Sequence, residues 1–166
     1  RIAKDATEAA ALWQGRKAAF PAVGRISPDY YCMDGTIPRS QVGHVLTRIS
    51  ELSQFYGLRV ANVFHAGDGN LHPLILFDAS IDGELEQAEL LGGDILTLCV
   101  DVGGTITGEH GVGLEKMPQM PYQFGDAELA QFRRLKAAFD SEELLNPGKA
   151  IPTLKYCQEY RSLQHG

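Results

Sequence analysis

Two histidines bracket a glycine-rich turn in His65-Ala66-Gly67-Asp68-Gly69-Asn70-Leu71-His72, between apolar arms over residues 58–64 and 71–77. The Asp68-Gly69 dipeptide favours a two-residue type I′ turn, and that turn would fix the pairing of both arms. Under this register Ala66 faces Leu71 and His65 faces His72. Directly opposed residues of an antiparallel pair have Cβ atoms about 4.5–5.5 Å apart on one face. Two imidazoles at that separation can chelate one cation, and Glu109 of the later Gly108-Glu109-His110-Gly111 segment can add an oxygen ligand. The plainer reading is a turn whose cross-strand histidines hydrogen-bond. The residues alone leave both open. Pro73 cannot donate to a ladder, which assigns its arm to a sheet edge or a bulge.

Helical spacing surrounds the hairpin. Residues 2–20 are Ala-rich, with Leu12, Trp13 and Phe20 as bulky apolar contacts and Pro21 and Gly24 as the stop. An irregular connector over 21–38 holds a short strand at Tyr30-Tyr31-Cys32-Met33. Ser40 is the expected N-cap of a helix carrying Val42, Val45, Leu46, Ile49, Leu52 and Phe55, with Gly57 just past its end. A further helix spans 83–102 with Leu85, Leu90, Leu91, Ile95, Leu98 and Val102 inward, weakened by Gly92-Gly93. Thr105-Ile106-Thr107 reads as a short strand. Asp126 is the expected cap of a helix bearing Leu129, Phe132, Leu135, Lys136 and Phe139, and Asn146-Pro147-Gly148-Lys149 is a turn. Helices alternating with a hairpin predict an α+β fold, helices packed on one face of a mainly antiparallel sheet. The sheet is undersized and the chain opens on Arg1 inside helical sequence. Both predict a fragment truncated at its N-terminal side.

Composition narrows the function. With 166 residues, 44% hydrophobic, one well-cored domain is expected over 1–166. A net charge of −6 without a basic cluster, and aromatics at 8%, argue against nucleic acid. Three widely spaced cysteines (Cys32, Cys99, Cys157) form no CxxC and fit a reducing, cytoplasmic setting. No apolar run reaches transmembrane length. Gly67-Asp68-Gly69-Asn70 and Val102-Gly103-Gly104-Thr105 fit neither GxGxxG nor the Walker pattern, so no dinucleotide site is expected on this chain alone.

Two histidines and a carboxylate leave coordination positions open for water or substrate. His110, between two glycines, suits a general base because imidazole titrates near neutrality; a loop hydrogen bond is the alternative. Arg16 can clamp a carboxylate bidentately, or be a solvated helix residue. Asp68 and Asn70 are expected in the turn.

The His65–His72 octapeptide, Gly108-Glu109-His110-Gly111-Val112-Gly113 and Asn146-Pro147-Gly148-Lys149 together resemble the signature stretches of the FAD-linked oxidase C-terminal domain family. Its members include flavoenzymes that oxidise glycolate, D-lactate and D-2-hydroxyglutarate. Trp13-Gln14-Gly15-Arg16-Lys17 and Asp34-Gly35-Thr36-Ile37-Pro38-Arg39 look closest to the glycolate-oxidising members. The resemblance implies a ferredoxin-like substrate (cap) domain, with FAD bound mostly by an N-terminal domain outside this chain. It implies His65, His72 and Glu109 as ligands of a divalent metal (Zn, Mn or Fe), His110 as the base and Arg16 as the substrate clamp. Asn146 is the expected cofactor contact. Leu74 stands where the 2-hydroxyglutarate enzymes place a further polar ligand, and Phe20 and Cys32 replace their substrate-binding Thr and Lys. A small monocarboxylate such as glycolate or D-lactate is therefore the expected substrate. The expected partners are the protein's own FAD-binding domain and other oxidase subunits, with a membrane reached only through them. The competing readings are a non-catalytic, metal-stabilised subunit-assembly module and a metal hydrolase.

Overall fold

Every residue of the strand Asn70–Phe77 is buried, although Pro73 stands in its middle. The computed structural model describes residues 2–152. In it α1 (Ala6–Lys17) and α2 (Ala19–Val23) precede β1 (Asp29–Cys32) and β2 (Gly35–Thr36). After α3 (Val42–Tyr56) come β3 (Arg59–His65), β4 (Asn70–Phe77) and α4 (Glu84–Asp101), then α5 (Met120–Gln123) and α6 (Asp126–Phe139). The sheet is antiparallel throughout, as α+β reasoning expects. β4 pairs with β3 on one side and with β1 and β2 on the other.

Pro73 therefore occupies the central strand, which corrects the edge, one of the two placements (edge or bulge) its missing donor suggests. The chain accommodates it by interrupting the neighbour. β1 and β2 run along β4 in one continuous register, Cys32 opposite Leu74 and Gly35 opposite Leu71, broken only at Met33-Asp34. There the Met33 N–H donates to the Pro73 carbonyl at 3.0 Å, and proline has no N–H to return.

Alternation along β4 divides two environments. Leu71, Ile75 and Phe77 face the main core, against Val45 and Ile49 of α3 and Leu91, Ile95, Leu96 and Cys99 of α4. Leu74 and Leu76 face the other way, where Val23 and Phe20 of α2 cover them beside Cys32, Ala61 and Val63. The larger helices thus pack on one face, and short α2 covers one end of the other. Gly92 is needed for this contact: a Cβ there would lie 2.8 Å from Met33 Sδ. Gly92 thus lets α4 lie close to the sheet, while a Cβ at Gly93 would lie 2.8 Å from Gln119 Nε2 on the other side.

Several expectations shift by a few residues. Ser40 lies inside a 3₁₀ turn (Arg39–Gln41), so α3 starts without a side-chain cap, while Gly57 ends it in the left-handed conformation (φ 69°). Gly125, not Asp126, precedes α6, and Glu128 accepts its N–H at 2.6 Å. Residues 105–107 shrink to a single bridge between Thr105 and Thr36. Leu12, Trp13, Phe55, Leu85, Leu90, Leu135 and Phe139 are exposed, against the inward roles their spacing suggests. α1 buries no residue, because its apolar side chains are spread around the helix instead of forming a stripe. Among the described residues no helix is long and apolar enough to cross a membrane.

Cys99 is fully buried, and burial, reinforced by the Asp34 charge, pushes its thiol up to about 12. Iodoacetamide at pH 8 should leave Cys99 unmodified in the native protein and label it after denaturation, read by peptide mass spectrometry.

Candidate active site

The outer end of the Leu74/Leu76 face is polar. His65 and His72 reach it in a register that differs from the type I′ expectation. His65 lies opposite Asn70, and His72 opposite Val63. Four residues, 66–69, make the turn, with the Asp68 and Gly69 N–H groups donating to the His65 carbonyl at 3.3 and 3.0 Å. Tertiary packing overrides the local dipeptide preference. Gly69 (φ 78°) accepts from Ile37 N–H at 3.0 Å, and a Cβ there would strike the Ile37 carbonyl. The offset is two residues, so both imidazoles keep one face, and diagonal neighbours are within reach of rings. Their centroids lie 5.3 Å apart at 85°.

The sheet break orients His72. The Met33 carbonyl, which Pro73 cannot serve, lies 3.3 Å from His72 Nδ1. With Nδ1–H donating there, Nε2 turns its lone pair toward Glu109 Oε1 at 2.8 Å and the Asn70 amide at 3.4 Å. His65 Nε2 lies 3.5 Å from the same Glu109 oxygen. A ring lone pair and a carboxylate oxygen 2.8 Å apart need a proton or a cation between them. Ligands on one ion with bonds of about 2.1 Å sit roughly 3–3.5 Å from each other. The Glu109–His72 separation fits that arrangement. His65 lies near Glu109 alone and belongs to no group of ligand atoms within 4.8 Å of one another among the described residues. The structure therefore does not close the expected His65-His72-Glu109 set, whose two-nitrogen, one-oxygen donors would suit Zn, Mn or Fe. His110 stacks on His72 with centroids 4.9 Å apart at 17°, its ring exposed above the cluster.

Beneath the cluster lies Asp34, fully buried, which had no expected role. Its carboxylate accepts from the N–H groups of Gly108 (3.0 Å), Glu109 (3.1 and 3.2 Å) and His110 (3.0 Å), from Thr107 Oγ1 (2.8 Å) and from Lys116 Nζ (2.8 Å). Lys116 is 2% exposed and also reaches the Asp34 carbonyl and Thr107 Oγ1. Burial alone would raise the Asp34 carboxyl. The Lys116 ammonium and then the loop donors outweigh it and hold the group well below the usual carboxylate range. Asp34, His72, Glu109 and His110 place ligand atoms within 4.8 Å of one another, as do Cys32, His72 and His110. Asp34 is already committed to these donors. The Cys32 thiol is held protonated by burial and then by the Asp34 charge, which makes it a poor ligand.

Arg16 is half-buried on α1 beside Leu12 and Trp13 and carries no hydrogen bond to the histidine cluster. Asn146 is exposed in a turn with φ 47°, its carbonyl accepting Lys149 N–H at 3.3 Å. The same turn is tied to the loop after His110, since Ala150 N–H donates to the Gly113 carbonyl at 2.8 Å. Phe20, Cys32 and Leu74 pack into one apolar cluster on the His72 face.

Residues 1–150 match the family described as FAD linked oxidases, C-terminal domain. The chain belongs to this family. It is 62% identical to the glycolate oxidase subunit GlcD of Escherichia coli (strain K12) over 100% of its own length and 34% of that protein. The corresponding subunit of Bacillus subtilis is 37% identical over 90% of the chain and 32% of the relative. A mitochondrial D-lactate dehydrogenase [cytochrome] of Arabidopsis thaliana is 34% identical over 85% and 25%. The chain spans about a third or less of the length of these relatives.

Gly108 fits only as glycine, since a Cβ there would strike Asn70 Oδ1 and lie 2.5 Å from Thr36 Oγ1. Gly108→Ala should lower the unfolding free energy by about 1–3 kcal/mol. Gly67→Ala, where a Cβ meets open space, should stay within about 0.5 kcal/mol of wild type in the same urea titration.

Proposed function

We propose that this chain is the substrate-side domain of an FAD-dependent 2-hydroxy acid oxidoreductase that converts glycolate or D-lactate to the 2-oxo acid. The observation that carries the reading is the convergence of His65, His72, Glu109 and His110 at one end of a sheet face, in a member of the FAD linked oxidases. FAD, bound mostly by a domain outside this chain, would supply the hydride acceptor. His65, His72 and Glu109 would hold a divalent ion, which would supply Lewis acidity toward the substrate hydroxyl.

This chain's residues do the rest. A ring nitrogen of His110 takes the hydroxyl proton, which leaves C2–O free to become the carbonyl as the C2 hydride departs. The Met33 carbonyl beside His72 Nδ1 orients the ring so that Nε2 faces Glu109. Arg16 is assigned to the substrate carboxylate on the strength of the sequence motif, since a guanidinium pairs bidentately with it. Asn146 is assigned to the cofactor on the same basis. The apolar cluster of Phe20, Cys32 and Leu74 beside His72 supports a small monocarboxylate, because a second carboxylate would be left unpaired there. The subunit designation of the GlcD relatives, with exposed Phe139, Leu144 and Leu145, supports assembly with the FAD-binding domain and with other oxidase subunits. The unpaired thiols Cys32 and Cys99 fit a cytoplasmic setting.

In the intact flavoprotein, glycolate or D-lactate should bleach the flavin, and His110→Ala should lower kcat by about a hundredfold to ten-thousandfold. Turnover within a few-fold of wild type would remove His110 from the mechanism. Elemental analysis should find a divalent metal that the His65→Ala/His72→Ala double variant loses, and equal content in both proteins would sink the metal site.

A further inference from the structure

Glu109 and His110 are exposed side chains on a loop with no regular secondary structure, yet the reaction requires both to face His72. Little in their own side-chain contacts can hold them, so their placement depends on the backbone beneath. That backbone is held from one point. Three consecutive amides, those of Gly108, Glu109 and His110, converge on the Asp34 carboxylate at 3.0–3.2 Å, and Gly108 N–H is also 3.2 Å from the Asp34 carbonyl. Only a carboxylate suits this arrangement. Oδ2 faces the donors of Thr107, Gly108, His110 and Lys116, and Oδ1 receives Glu109 N–H, so an amide NH₂ on either side would meet hydrogens.

Lys116 supplies the buried counter-charge. A buried ion pair of this kind contributes little net stability compared with apolar side chains of similar volume. Its retention here is better explained by geometry than by stability.

Asp34 also belongs to the other wall of the site. In the shared register of β1 and β2 it falls opposite His72, with Oδ1 4.0 Å from Nδ1, while its neighbour Met33 accepts from that same Nδ1. We propose, on the basis of the function above, that Asp34 is a positioning residue for the reaction: it fixes the 108–110 backbone so that Glu109 and His110 stand over His72, and Lys116 holds its carboxylate in place from below. The break in the strand beside Pro73 thus orients both sides of one site through two adjacent residues.

The test uses the intact flavin-loaded protein and its metal-stripped form, with Zn²⁺ as the probe. Asp34→Asn should weaken Zn²⁺ binding, measured by competition with a chromogenic chelator, and lower kcat for glycolate, each by about ten- to a hundredfold, with KM within about threefold. A residue serving only stability would lower the melting temperature and leave Zn²⁺ affinity and kcat of the folded molecules unchanged. Lys116→Met, which keeps the three amide donors, should cost less than Asp34→Asn in both measurements. If Asp34→Asn stays within about threefold of wild type in both while His110→Ala and the double histidine variant are impaired, the proposal is overturned and the site stands. If all three variants match wild type, the reading of the site fails and the role of Asp34 fails with it. Should Asp34→Asn not fold, hydrogen exchange of the wild-type protein decides. The amides of 108–110 should exchange more slowly than Gly111, whose N–H has no partner among the described residues, and equal rates would overturn the proposal.

Discussion

A central strand that lacks one hydrogen-bond donor organises this structure. β4 is buried along its whole length and paired on both sides, a position where proline is normally excluded. The missing N–H of Pro73 leaves the Met33 carbonyl without a ladder partner, and a buried carbonyl without a partner costs on the order of 1–3 kcal/mol. The His72 ring satisfies it from the same strand. One local defect in the ladder therefore interrupts the neighbouring strand, fixes an imidazole and leaves Asp34 free of regular pairing. What would be a fault elsewhere in a sheet is here the origin of the polar end of one face.

The rest of the site is arranged as layers of decreasing burial. At the bottom Asp34 and Lys116 are sealed from solvent, and their charges are balanced by each other and by backbone donors. Above them lies His72, nearly buried. Glu109, His65 and His110 occupy the exposed rim. Rigidity comes from beneath and chemistry is exposed above, as suits groups that must be preorganised yet reachable. The apolar strip of Leu74, Leu76, Ala61 and Val63 continues the same face under α2, so one sheet surface changes from hydrocarbon to reactive groups within two residues of His72.

Much of this was legible in the sequence. The hairpin and the helices carrying Val45–Ile49 and Leu91–Ile95 follow from periodicity and turn chemistry, and the grouping of His65, His72, Glu109 and His110 from the motifs that carry the family resemblance. The turn type did not, because Asp68-Gly69 states a local preference, while Ile37 closing on Gly69 is a contact across more than thirty residues. Pro73 was assigned to an edge or a bulge by a rule about donors that holds only where the partner strand is unbroken. Asp34 and Lys116 carried no separate signal: they stand eighty-two positions apart, and a single Asp or Lys is more often a surface residue. The Asp34-Gly35-Thr36 stretch was visible as a motif, without the depth that gives Asp34 its role. The apolar spacing of α1 and α6 predicted burial that neither helix provides for Trp13 or Phe139, since periodicity reports a face but not what lies opposite it.

The two-residue difference between the expected and observed hairpin registers has a consequence for fidelity. Side chains alternate along a strand, so a slip of two returns both imidazoles to one face, while a slip of one would put them on opposite faces, and if β4 is the strand that turns, Leu71 and Ile75 leave the main core. The aliphatic core thus proofreads the reactive face. Mispaired chains are rejected by the free energy of burying hydrocarbon, before any ligand tests whether the histidines are where they belong.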